Sequence, residues 1–585
     1  MNRIIQALIR LERRITAPRT LHRLKFLSWQ WVQVRRTVIL SLILIGSLVI
    51  ALISGWLSLF NRYGSAAPDL GGTYREAVSG ESKNLNPLFS PSSPVDEDVV
   101  RLVFSGLLRR GDSGDLEGDL AREYNVSLDQ KTYTISLRKG VKWQDGVVFT
   151  SRDVTYTVAT IQDKAYQGPR AAEWRDVKVE AKGDQTVIFT LPLAYSFFPQ
   201  SLTLPILPWH LLKDVPVKNL PVAAFNDHPI GTGPYSFISR EETEDKNRKE
   251  GQRQEITLER NKHYFLKRPF IDRVSLRIYR SPHEAWQAYV RREVDVVSGI
   301  PPEDAATAED WQSLRLHDLT LPQYTALFYD LSSSAAPVAE RPVRQALGAA
   351  IDRRPIIREV IAGRAFPAYY PVLPGQTGYD PALPRPGYDP AAAEKLLDQA
   401  GWAKDPKSGR RAKAGRVLKV SLVTGQTSTY RKTADLIKKA WQRVGVTVEL
   451  ITLADKTLQE RHIKTRTYDV LLYGVNLGPT GDLYPFWHSS QSGAAGLNLS
   501  NYSNSIVDRQ LEQARQTSDK DQIRQKYVRA QRLWLEDAPA YILFTPIYAI
   551  GIDERVHGPQ IASLSVPSDR YAGLTEWYVN LRRKL

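Results

Sequence analysis

Residues 119–157 read DLAREYNVSLDQKTYTISLRKGVKWQDGVVFTSRDVTYT. Tyr133, Ile135 and Leu137 alternate with Thr134 and Ser136, the period-two pattern of a half-buried strand, and Lys139-Gly140 closes it. Asp145-Gly146 is a second turn signal. Thr150 followed three residues later by Asp153 forms a capping box, which opens a helix over DVTYTVATI (153–161).

The same alternation of strand and capped helix continues outward. KVSLVT (419–424), TVELITL (447–453) and YDVLLYG (468–474) read as strands. Val343, Leu347, Ala350 and Ile351 stripe PVRQALGAAID (342–352) at helical spacing, with Pro342 in the first turn. Asp389 caps another helix, Pro390 starts it and Gly401 ends it after KLLDQA. Ile523, Tyr527, Ala530 and Trp534 stripe a longer helix. Such mixing predicts α/β lobes, and no heptad, repeat or low-complexity tract interrupts it.

The chain has 585 residues, enough core for three or four domains, and its 42% apolar and 24% charged content is that of a folded protein. It has no cysteine, which excludes disulfides, thiolate metal sites and cysteine nucleophiles, and Met1 is the single methionine. Residues 1–37 hold nine Arg or Lys and one acid, half of the chain's net charge of +16. The run that follows, VILSLILIGSLVIALISGWLSLF (38–60), has 23 residues without a charge. It would reach about 35 Å as a helix, long enough for the hydrocarbon core of a bilayer. The basic flank places the N-terminus in the cytoplasm and the rest outside. Ser65-Ala66-Ala67 has the form of a signal-peptidase site, so a cleaved signal and an uncleaved anchor are both open; the length favours the anchor. Ile4, Ile5, Leu8, Leu11 and Ile15 fit either an amphipathic helix on the inner leaflet or a solvated basic tail.

RLVFSGLLRR (101–110) and the opening stretch resemble the family 5 solute-binding proteins of peptide ABC transporters. GTGPY (231–235), PVRQALGAAIDR (342–353), YDPAAAEKLLDQAGW (388–402), YSNSIVDRQLEQAR (502–515) and DAPAYILF (537–544) resemble further blocks of that family, in the same order. The resemblance implies an α/β, two-lobed type II periplasmic-binding-protein fold with an extra subdomain, preceded here by a single N-terminal transmembrane helix. The charge and hydropathy pattern makes 1–37 a basic cytoplasmic segment, 38–60 the anchor and 61–70 a linker; the lobes follow by analogy with the family. Lobe I is 71–95, 205–320 and 545–585, with 96–204 as its extra subdomain, and lobe II is 321–544. The crossings between lobes are LPQYTALFYDLSS (321–333) and AYILFTPIYAIGI (540–552), about which the lobes close on a ligand.

The resemblance also implies a ligand site. Peptide-binding relatives hold an extended peptide through main-chain hydrogen bonds to a strand edge, which tolerates many sequences. By position the edge is Gly474, Val475 and Asn476, facing Ser90 to Ser93; Tyr324, Phe328, Asp330, Tyr430 and Lys456 match pocket positions. Relatives place an aspartate after the edge strand to pair with the peptide's amino group. In YGVNLGPTGDLYPFWHSS (473–490) that position is Gly478, and Asp482 is the nearby substitute. Trp487 is a candidate aromatic wall or a core residue.

Catalytic signatures are absent. There is no GxSxG and no Walker A; HEAWQ (283–287) lacks the second histidine of HExxH; and Gly231 and Gly233 lack the third glycine of a dinucleotide fingerprint, which leaves a tight turn. Asp112, Asp115, Glu117 and Asp119 do not match EF-hand spacing and read as a solvated turn. Trp143 with Asp145-Gly146 reads as a structural hairpin. The expectation is a monomeric, non-enzymatic, membrane-anchored receptor of a bacterial cell membrane. It passes through the membrane once and needs no cofactor or metal. It captures an extended peptide outside the cytoplasm for an ABC permease and its ATPase. The alternatives are the same fold binding an oligosaccharide, an opine or a metal chelate, and, remotely, an anchored hydrolase using Asp330 or Asp482. Nucleic-acid binding is not expected, because half of the excess charge flanks the apolar run.

Overall fold

The computed structural model describes Gln6 and residues 18–63, 65–242, 252–494 and 496–584. Ile4, Ile5, Leu8, Leu11 and Ile15 lie outside them. The chain divides into two compact units, Met1–Asp69 with Asn580–Leu585, and Leu70–Val579.

In the first unit a helix runs over Pro18–Tyr63. Its stretch Trp31–Trp56 has 26 residues and contains an 18-residue window of mean hydropathy 2.7, none of it buried, long and apolar enough to cross a membrane. Part of the segment expected to be a plain linker is a strand. Ser65–Asp69 pairs antiparallel with Asn580–Lys584, from Ser65↔Lys584 to Asp69↔Asn580.

The second unit holds two lobes, each a sheet with a hydrophobic core on either face. In the first lobe the strand order is Tyr235–Glu242, Gln252–Arg260, Arg273–Tyr279, Thr73–Ser79, Val296–Ile300 and the second half of Ala540–Asp553. In the second it is Thr447–Leu453, Lys419–Gly425, Val470–Asn476, Gln323–Tyr329 and the first half of Ala540–Asp553. The 14-residue strand Ala540–Asp553 therefore serves both lobes. Its first half pairs with Gln323–Tyr329 and its second with Leu314–Thr320, so Leu321-Pro322 is the other crossing. Along the shared strand only Pro546, Ile547 and Tyr548 are half-buried. Proline cannot donate to a ladder, and Pro546 sits where the pairing changes partner.

A four-stranded sheet (Ala121–Val126, Thr132–Leu137, Thr186–Thr190, Lys178–Ala181) and the helix Ser151–Gln162 form the extra subdomain. The Thr150–Asp153 capping box is present, with Asp153 Oδ2 accepting from the Thr150 backbone at 2.8 Å. Trp143 is fully buried in this subdomain's core, and Gly146 turns the hairpin at φ +91°. In the second lobe Asp389 caps Pro390–Gln399, and Gly401 follows at φ +83°, the left-handed end that glycine permits.

Candidate functional site

The helix Pro94–Val103 carries one wall of the site, and its sequence explains its position. Ser93 caps it, accepting from the Asp96 backbone, and Pro94 occupies the first turn. Val95, Val99, Val100, Leu102 and Val103 are buried in the core of the first lobe, so the expected break at residue 95 falls inside one element. Asp98 is buried behind it, receiving Arg570 Nη1 at 2.7 Å and Nη2 at 2.5 Å. Arg570 Nε reaches Glu76 at 2.8 Å. Burial pushes Asp98 up to about 6 against the pull of the guanidinium.

The GTGPY block holds the far end of this helix. Gly233 N donates to Val103 O at 2.8 Å, and Gln144 Nε2 donates to the same oxygen at 3.1 Å. A Cβ on Gly231 would sit 1.9 Å from Val103 O, and one on Gly233 2.6 Å from Leu102 O. Neither glycine has positive φ. They serve close backbone approach instead of the tight turn expected from the GxG pattern.

Glu97 and Arg101, one turn apart, face a cavity of about 1150 Å³ between the lobes. The subdomain adds Arg109, Arg110, Asp119, Arg170 and Tyr195, and the second lobe adds Pro479, Thr480, Tyr484, Glu512 and Arg515. At one end the subdomain is latched to the second lobe. Ser196 N donates to Arg515 O at 2.7 Å, and Arg515 lies 5.3 Å from the ring centre of Tyr195 and 3.7 Å from that of Tyr484.

The charges are mostly matched. Arg515 meets Asp482 at 2.6 Å, Arg109 meets Glu117 at 3.1 Å, Arg110 lies 3.7 Å from Asp569, and Glu512 accepts from His488 at 3.3 Å. Asp119 is buried, not part of a solvated turn, and burial pushes it up to about 6. Its Oδ1 has no hydrogen-bond partner among the described residues. Glu97 is half-buried and, among the described residues, has neither a side-chain hydrogen bond nor an ion pair. Burial, reinforced by Asp98, raises it to about 7, against the field of Arg170.

The ten residues singled out from the sequence fall into several groups. Gly474, Val475 and Asn476 end the strand Val470–Asn476. They pair with Thr325, Tyr324 and Gln323 on one side, whereas Lys419–Gly425 on the other side pairs only as far as Leu472. Tyr430 lies on that open side, its hydroxyl accepting from Gly474 N at 3.0 Å. Lys456 is exposed on the short helix Asp455–Leu458. The cavity begins just past this edge, at Pro479 and Thr480. Tyr324, Phe328 and Trp487 are buried together in the core of the second lobe, Phe328 stacked on Trp487 at 6.0 Å. Asp330 is buried, accepting from Ser332 Oγ and Asn501 Nδ2, both at 2.7 Å. Asp482 is 2% exposed, with its charge matched by Arg515. Ser90–Ser92 is one turn of 3-10 helix, and Ser90 lines the cavity.

Glu97, Arg170 and Tyr195 were not legible from the sequence. Arg101, Arg109 and Arg110 lie in the quoted block RLVFSGLLRR, but no local pattern distinguishes a cavity arginine from a surface one. Among the described residues no group of three or more His, Asp or Glu side chains is arranged to hold a metal ion.

Two lobes joined by a shared strand, with a cleft between them, define a hinged binding protein. The family described as bacterial extracellular solute-binding proteins, family 5 (middle region), matches residues 115–496. The chain belongs to that family. It is 28% identical over 500 residues to the oligopeptide-binding protein AppA of Bacillus subtilis (strain 168), covering 84% of this chain and 89% of that one. The structure of B. subtilis AppA in complex with a nonapeptide superposes with a TM-score of 0.71 at 26% identity, over 88% of this chain and all of that one. NikZ from Campylobacter jejuni in complex with Ni(L-His) superposes at 0.72 and 26% identity, over 86% of this chain and 99% of that one.

Proposed function

We propose that the chain is a membrane-tethered receptor that closes its lobes on an extended peptide outside the cytoplasm and delivers it to an ABC permease. One observation carries the peptide reading. The cavity of about 1150 Å³ exceeds the roughly 300–1,000 Å³ of small-molecule pockets and begins at Pro479, just past a strand that has no ladder partner beyond Leu472 on one side among the described residues. In this reading the ligand's main chain pairs with Gly474, Val475 and Asn476, beside Tyr430 and within reach of Lys456, while Tyr324, Phe328, Asp330 and Trp487 support that strand from behind. Asp482 holds the Arg515 latch. Similarity to a relative solved with a nonapeptide supports the choice of ligand. The tether is supported by the helix Trp31–Trp56 and by the pairing that follows it. Cleavage after Ala67 would remove Ser65, Ala66 and Ala67, the partners of Lys584, Arg583 and Arg582.

The test is native mass spectrometry of the full chain purified in detergent, followed by denaturation to identify what is released. A heterogeneous set of short peptides is expected. A single non-peptide mass would replace the ligand class and leave the hinged-receptor reading standing.

A further inference from the structure

Resting on the peptide reading above, the geometry points to a specific role for Glu97: its carboxylate is the receptor for a primary ammonium group of the ligand.

Several acids line or border the cavity, and all but Glu97 and Asp119 either have a partner or lie open to water. Asp569 accepts from the Ser565 and Val566 backbone and lies beside Arg110; Glu512 pairs with His488; Glu173 is 4.0 Å from Arg170; Asp176 is exposed to water. Asp482, the substitute expected from sequence, is occupied by Arg515. Glu97 is half-buried in the cavity wall and has no side-chain partner among the described residues. The charged groups acting on it are Asp98 on its own helix, Arg170 at the start of Ala171–Trp174, and Asp569 on Pro567–Tyr571. Arg170 is the one cation among them, and it is near enough to be felt yet outside ion-pair distance. A second acceptor, the unpartnered Oδ1 of Asp119, lines the same cavity. A carboxylate in such a place is uncompensated until a cation enters, so an ammonium gains a charge-assisted hydrogen bond there at little cost to existing contacts.

The ammonium can belong to a peptide's N-terminus or to a lysine side chain, and the experiment separates the two. Full-length protein in detergent is equilibrated with three pools of random short peptides, and the retained species are weighed. One pool is lysine-free with free amino termini, one is lysine-free and N-acetylated, and one is N-acetylated with a single lysine. Glu97→Gln and Glu97→Asp are run alongside, with thermal melting as the check on folding. Wild type should prefer an amine-bearing pool over the lysine-free acetylated pool by about tenfold or more. Preference for free termini identifies the peptide terminus; preference for the lysine pool identifies the side chain. Glu97→Gln should lose the preference while still retaining peptides, and Glu97→Asp should keep it. Equal retention of all pools by wild type, or an undiminished preference in Glu97→Gln, overturns the role of Glu97 and leaves the peptide reading intact. Retention of no pool by wild type overturns both.

Discussion

At the scale of single residues the molecule keeps its buried charges in two different ways. Arg570 is matched to Asp98 and Glu76 deep in the first lobe. Glu97, on the same helix as Asp98, has no such match, and its carboxyl is raised to about 7 by burial and by Asp98. A carboxyl whose folded value is raised above its unfolded value near 4.5 stabilises the protein below that value. It loses the contribution as pH rises through about 7. The unliganded protein should therefore lose on the order of 2 kcal/mol through this group between about pH 4.5 and pH 8. Glu97→Gln should remove that part of the slope. Urea melts of both proteins across the range check it, and parallel slopes would contradict the assignment. Bound ammonium should reverse the trend, because it favours the charged carboxylate.

At the scale of elements, the GTGPY block and the helix Pro94–Val103 act as one unit. Gly231→Ala would drive a methyl into Val103 O, with a Cβ contact of 1.9 Å against backbone that cannot rotate away. Its expected cost is about 3 kcal/mol, and the displaced helix should weaken peptide retention as well. Denaturant unfolding and the peptide pools measure the two effects. The elements themselves were largely legible. Thr150 with Asp153, Asp389 with Gly401, and the stripe Ile523–Trp534 carry local signals of cap and period, and local signals survive folding. The site was less so. Tyr324 and Phe328 alternate toward one face of a strand, but whether that face meets ligand or Trp487 depends on residues more than 100 positions away. Glu97 sits in an ordinary first turn. Its distinction is the lack of a partner, which only the assembled neighbourhood reveals. The GxG of GTGPY reads as a turn because a sequence does not display the carbonyl that the two glycines make room for.

At the scale of the whole molecule, the shared strand Ala540–Asp553 makes opening and closing a rotation about a short half-buried stretch, Pro546 to Tyr548. The apolar helix bears on where this happens. If the anchor is retained, the full-length protein should stay with the membrane fraction through high salt and carbonate and appear only after detergent. Release of a fragment starting at Pro68 would show cleavage after Ala67 instead. The pairing of Ser65–Asp69 with Asn580–Lys584 has a consequence in time as well as in space. The ribosome makes the first strand almost a whole chain length before its partner, so during synthesis that edge has nothing to zip against. It closes only when the last residues have arrived. A chain abandoned partway keeps an open β-edge just after its apolar helix, a template on which other strands can pair.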